Sequence, residues 1–130
     1  MNNMKAEDLQ IGDWVNLYDS PIKINIDDLG VIERDETYDK GVHCEPIPLT
    51  DEILKKNGFV YDENREAWEQ IPNDGYGICY EDNTYLFSLG VFDPFNRDSD
   101  ITYHTIAEIK YIHELQHALK LCKIDKEIIV

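Results

Sequence analysis

Apolar and polar positions alternate at period two along much of this chain, the pattern of half-buried strands. The stretch Ile11-Gly12-Asp13-Trp14-Val15-Asn16-Leu17-Tyr18 predicts a first strand. Asp19-Ser20-Pro21 predicts a turn, with Pro21 fixing φ. Ile22-Lys23-Ile24-Asn25-Ile26 alternates again and predicts a second strand. Asp28-Leu29-Gly30 is expected to turn into Val31-Ile32-Glu33, a polar loop to run from Arg34 to Lys40, and Val42 to Ile47 to extend once more. Short strands this close together predict a small, barrel-like antiparallel arrangement.

Thr50 suits an N-cap, with Asp51 and Glu52 in the first turn and Gly58 at the end, so a connecting helix is expected from about Thr50 to Asn57. Beyond it, Phe59-Val60-Tyr61, Ala67 to Ile71, Tyr76-Ile78-Tyr80 and Tyr85-Phe87-Leu89 all read as strands. Asp93 to Asp100 reads as a loop, and Ile101 to Ile109 as the last long strand. Ile112, Leu115, Leu119 and Cys122 then recur at three and four residues, which predicts a helix with one apolar stripe. Lys126 to Val130 is expected to add a short terminal strand. The fold class is therefore α+β: N-terminal barrel-like strands, a connecting helix, and an antiparallel sheet packed by a C-terminal helix. Residues 1–130 are expected to form a single domain, with sub-lobes over 1–49 and 50–130 as its finer division.

Composition sharpens this picture. Hydrophobic residues make up 42%, enough for a folded core. The net charge of −15 argues against nucleic acid as a partner, because phosphate binding needs a basic face. It fits a solvated surface or, alternatively, an acidic DNA mimic that engages a basic, DNA-handling protein. Cys44, Cys79 and Cys122 are odd in number and widely spaced, which favours reduced thiols over a disulfide framework. No leader-like or membrane-spanning apolar run is visible, so no membrane association and a cytoplasmic location are expected.

The one string that spells chemistry is His113-Glu114-Leu115-Gln116-His117. Two His at i and i+4 share a helix face and can bind one zinc ion, and the intervening Glu can act as general base on zinc-bound water. The alternative to a site-free chain is thus a small zinc-dependent peptidase with His113 and His117 as metal ligands and Glu114 as the catalytic base. Against it, Lys120 and Lys123 stand where the longer metzincin pattern requires Gly and His. Cys122, Asp125, Glu127, His43 and His104 remain as third-ligand candidates, none at a familiar spacing. His113 falls in the first helical turn, and both His are expected off the apolar stripe, toward solvent or the sheet edge. Asp93 to Asp100 clusters oxygen ligands but lacks the Gly and Glu of an EF-hand loop. His43 and Cys44, adjacent on a strand, point to opposite faces and make a poor dyad. Trp14 and Trp68 are expected in the core.

Three blocks carry a resemblance: Leu9-Gln10-Ile11-Gly12-Asp13-Trp14-Val15; Glu45 to Leu54 with Gly58-Phe59; and Ile109 to His117. Together they resemble a family of small proteins from Bacteroides and related gut bacteria, often associated with phage or mobile elements. In that family the last block usually resembles Tyr-Val-His-Gln-Leu-Gln-Asn, without the Glu and the second His. The resemblance implies that Glu114 and His117 vary on a helix motif, and it implies no activity, cofactor or catalytic residue. The expectation is a non-enzymatic accessory or protein-binding module of bacterial or phage origin. It carries no cofactor and meets its unknown protein partner through the acidic middle segment or an aromatic patch. An oligomer-forming structural protein is the further alternative.

Overall fold

A computed structural model describes residues 4–37, 44–64, 66–70, 76–81, 83–92 and 101–130. In chain order these contain β1 (Trp14–Leu17), β2 (Ser20–Lys23), α1 (Ile26–Thr37), β3 (Cys44–Pro46), α2 (Asp51–Lys56), β4 (Phe59–Asp62), β5 (Ala67–Gln70), β6 (Tyr76–Glu81), β7 (Thr84–Phe92), β8 (Ile101–Ile109) and α3 (Ile112–Leu121). A single 3₁₀ turn, Ala6–Asp8, precedes them. The protein is α+β, with two open antiparallel sheets of three and five strands. Among the described residues no helix is long and apolar enough to cross a membrane. The loop expected over 93–100 and the candidate ligand His43 lie outside the described residues.

The chain folds as two compact units. One comprises Met1–Pro48, Tyr111–Ile128 and Val130; the other comprises Leu49–Lys110 and Ile129.

In the first unit the sheet order is β2-β1-β3. Leu17 pairs with Ser20, so the hairpin loop is Tyr18-Asp19. Both loop residues have positive φ, 50° and 66°, the left-handed pair that matches the twist of a two-residue hairpin. The turn therefore falls before the expected Asp19-Ser20-Pro21. Pro21 sits inside β2, an edge strand where a missing N–H is harmless. The larger correction is α1. The segment read as a turn at 28–30 and a strand at 31–33 is helical from Ile26 to Thr37. Asn25 starts it: Asn25 Oδ1 accepts from the Asp28 amide, and Asp28 Oδ2 accepts from the Asn25 amide, both at 2.9 Å. This reciprocal cap satisfies two backbone donors that a helix start otherwise leaves open. Ile32 then drops into a core with Met4, Leu9, Val15, Ile24 and Cys44. Full burial of a side chain such as Ile32 or Val15 is worth about 1.5–3 kcal/mol.

Helix α3 also belongs to this unit, where it contacts β1. A helix laid on an antiparallel sheet is thus present, and the sheet it joins is the three-stranded one. An isolated bridge between Pro48 and Tyr111, and an Ile112 amide bonded to the Ile47 carbonyl at 2.9 Å, lead into the helix. After α3 the chain runs without regular structure to Val130, in place of the expected terminal strand. It is nonetheless anchored, since Ile128 is fully buried and its carbonyl accepts from Trp14 Nε1 at 2.7 Å.

In the second unit the expected strands form an antiparallel sheet whose order, β4-β5-β6-β7-β8, follows the sequence. Helix α2 begins as expected, with Thr50 Oγ1 accepting from the Ile53 amide at 3.3 Å. It packs on β4 and buries Leu54. Phe59, Trp68, Tyr76, Ile78, Phe87 and Ile109 are buried in the sheet. Tyr76 ties the aromatics together, edge-on to Phe59 at 6.0 Å and stacked on Phe87 at 5.7 Å. A register shift between Phe87 and Ser88 marks a bulge in the β7–β8 pairing. Asn57 holds the chain end by two 2.8 Å bonds, its Oδ1 accepting from the Ile129 amide and its Nδ2 donating to the Ile129 carbonyl.

Candidate functional site

The His-Glu-Leu-Gln-His string occupies the first turn and a half of α3. Ile112, Leu115 and Leu119 form its buried stripe, as the spacing predicts. Cys122 is only half-buried. His113, expected off that stripe toward solvent or the sheet edge, does not face solvent: it is 9% exposed. Its ring stacks on Tyr111 at 5.9 Å and meets His117 edge-on at 5.5 Å. Burial pushes the His113 imidazole below its ordinary pKa; Glu114 and Asp13 pull the other way, and His117 adds to the lowering.

Each remaining polar residue of the string is engaged within this unit. Glu114 Oε1 accepts from the Tyr111 amide at 3.0 Å, so its carboxylate closes back on the helix start as a cap. Gln116 bridges two backbone groups of the segment entering β1. Its Oε1 accepts from the Trp14 amide and its Nε2 donates to the Gly12 carbonyl, both at 2.8 Å. His117 Nε2 lies 2.7 Å from Asp13 Oδ2.

Asp13 is the residue that sequence reasoning passed over. It is fully buried, and its Oδ2 also accepts from the Gln10 amide at 2.8 Å. Its backbone carbonyl accepts from the Ile24 amide at 2.8 Å, which fixes the Gly12-Asp13 corner against the start of α1. Gly12 allows that corner with φ 97°. A buried carboxylate demands partners, and a lone Asp inside an apolar strand pattern was the available signal. Two buried atoms remain without a hydrogen-bond partner here, Asp13 Oδ1 and His113 Nδ1.

The chemical capacity of this cluster is narrow. A zinc peptidase site needs two free imidazole nitrogens, a third ligand and a carboxylate poised over the metal. Here one His117 nitrogen faces Asp13 and the Glu114 carboxylate is turned to the helix cap. Among the described residues, no group of three His, Cys, Asp or Glu side chains is arranged to hold a metal ion. Of the third-ligand candidates, Glu127 is ion-paired with Lys23 and His104 is exposed on β8. Compared with known protein families, curated proteins and solved structures, the chain matches none.

The five-stranded sheet offers a different surface. Tyr61 and Tyr80 are 43% and 50% exposed, large apolar areas for a single small unit. They border a groove of about 370 Å³ lined by Asp51, Lys55, Tyr61, Trp68 and Tyr80. A second groove of about 630 Å³ runs on past Tyr80 and Tyr85 to Ile109 and Lys110. Trp68 is buried, as expected, whereas Trp14 is half-buried with its indole N–H bonded.

Cys44, Cys79 and Cys122 form no disulfide. Burial raises the pKa of the Cys79 thiol, with the nearby Glu81 and Glu69 adding to the rise and a Ser88 hydrogen bond opposing it. A raised thiol pKa means less thiolate and a poorer nucleophile.

Proposed function

We propose that this protein is a non-enzymatic, protein-binding module, an accessory protein of bacterial or phage origin. The observation that carries the reading is the Glu114 cap. The carboxylate that would serve as general base holds a backbone amide at 3.0 Å. Gln116 and His117 are likewise engaged with the backbone and with Asp13. The string then acts as a docking device that fastens α3 to the segment entering β1. What is left for function is surface: exposed aromatics over an acidic background of net charge −15. Such a surface suits a partner with basic and apolar side chains. The test is a pull-down with the intact chain as bait, washed at low and at high salt. A stoichiometric partner released by salt is the expected result. Absence of any partner, together with turnover of peptide substrates, would overturn the reading.

A further inference from the structure

We propose that the groove between α2 and the five-stranded sheet is a receptor for one basic side chain, arginine or lysine, presented by a partner polypeptide. This rests on the protein-binding reading and names the chemistry of the partner. Strand register places the recognition surface. Tyr61 pairs with Trp68, and Trp68 with Ile78. Tyr80, two residues on, shares the Ile78 face and pairs with Tyr85. Four aromatic rings therefore stand on one face in two contacting pairs. The centroids are 5.3 Å apart for Tyr61–Trp68 and 4.8 Å for Tyr80–Tyr85, both tilted by 56°.

Helix α2 supplies the charge. Asp51, in its first turn, accepts a 2.6 Å hydrogen bond from Tyr85 Oη through one carboxylate oxygen. That bond fixes the carboxylate beside the rings and leaves its other oxygen as an acceptor for a guest. An aromatic face attracts a cation through its quadrupole, and a fixed carboxylate adds a charge-assisted hydrogen bond. The residues from 49 to 110 carry thirteen acidic and five basic side chains, so the surrounding field favours an approaching cation. Lys55 also lines the groove and is exposed, so its own ammonium competes at the rim. The groove volume of about 370 Å³ lies at the small end of ligand sites and accommodates one long side chain.

The experiment uses the whole ¹⁵N-labelled protein and three capped tripeptides, Gly-Arg-Gly, Gly-Lys-Gly and the neutral Gly-norleucine-Gly. The readout is the Trp68 indole resonance, since Trp68 lines the groove. The amide resonances of the buried Ile78 and Phe87 report whether the same sheet remains folded. The Arg and Lys peptides are expected to move the Trp68 resonance saturably and to bind about five-fold or more tighter than norleucine. Tyr80→Ala and Asp51→Asn, both at exposed positions, should weaken that binding several-fold while the Ile78 and Phe87 amide resonances keep their folded dispersion. Lys55→Met should leave it intact or strengthen it. Equal binding of norleucine, no movement of Trp68, or loss of binding on Lys55→Met would each overturn the proposal. The two readings also fail separately. A salt-sensitive partner still captured by Tyr80→Ala removes the groove and leaves the binding module. Arginine binding with no protein partner leaves the groove and removes the module.

Discussion

Gln116 is the place where the role of α3 can be measured. Its carboxamide spans two backbone groups, the Trp14 amide and the Gly12 carbonyl, at 2.8 Å each. Replacing Gln116 with Ala deletes both bonds and strands one donor and one acceptor in a half-buried corner. A hydrogen bond contributes about 0.5–1.5 kcal/mol net, and a buried unpaired group costs about 1–3 kcal/mol. Gly12, Trp14 and Gln116 are all half-buried, so water recovers part of that cost. The better helix propensity of Ala returns a few tenths of a kcal/mol. The balance is a loss of about 2–3 kcal/mol, which in urea lowers the unfolding midpoint by about 1–2 M. Gln116→Glu is the informative companion. It keeps the acceptor for the Trp14 amide but turns an oxygen toward the Gly12 carbonyl, so it should lose a similar amount. Urea unfolding followed by tryptophan fluorescence and circular dichroism gives both numbers. A loss below about 0.5 kcal/mol for Gln116→Ala, the range of an ordinary surface change, would refute the clamp.

Three further outcomes follow from the same structure. Gly30 is exposed inside α1, lacks a positive φ, and a Cβ there meets nothing within 4 Å; Gly30→Ala should therefore stabilise by about 0.5–1 kcal/mol in thermal or urea unfolding, whereas a turn at that position would leave it neutral or worse. The folded-state pKa of His113 lies below its unfolded value of about 6.5, so above that pH the residue is neutral in both states and its stability contribution is complete. As pH falls below about 6.5 the unfolded chain takes up the proton first, and stability declines by at most about 1.4 kcal/mol per pH unit until the folded pKa is passed. His113→Gln should flatten that slope in urea unfolding at stepped pH, and an unchanged slope would show that another group carries it. Metal analysis of protein purified without an affinity tag should find far less than one zinc per chain; stoichiometric zinc that disappears in His117→Ala would restore the peptidase reading.

The second sheet was legible because each of its strands carries an alternating run bounded by polar turn residues, with Tyr76, Ile78 and Tyr80 the plainest case. The α2 cap was legible for the same reason, a local signal with a local partner. Helix α1 was hidden by a competition between two local signals. Ile22, Ile24 and Ile26 alternate like a strand, and Gly30 resembles a turn. The Asn25–Asp28 cap outweighs both, and Ile26, the residue that completed the alternation, is 71% exposed. An Asn followed three residues later by Asp was visible in the sequence and carried the answer. The candidate site was harder. His113 and His117 were singled out by spacing, but their environment depends on Asp13, more than a hundred residues earlier, and no local pattern encodes that pairing. Glu114 differs: its partner is local, three residues back, and it was read as a base only because the string matches a motif. With His113 in the first turn, Glu114 falls at the third helical position, where a carboxylate caps the amide of the N-cap residue, here Tyr111.

The long reach between Asp13 and His117, 104 residues apart, has a consequence for how the chain acquires its structure. The first unit is discontinuous: Leu49–Lys110 is inserted between its two long segments, Met1–Pro48 and Tyr111–Ile128, and Pro48 bridges Tyr111 where they meet. During synthesis the inserted unit emerges nearly whole before α3 does and can fold while the first unit is still without its last helix. Until then the buried Asp13 lacks the imidazole that faces it, and the Trp14 amide and Gly12 carbonyl lack Gln116. The first unit therefore pays the larger loop-closure entropy and completes last. Because the ends of the insertion lie side by side, the protein has the topology of a host and a guest, in which a short linker could replace the guest without stretching the host.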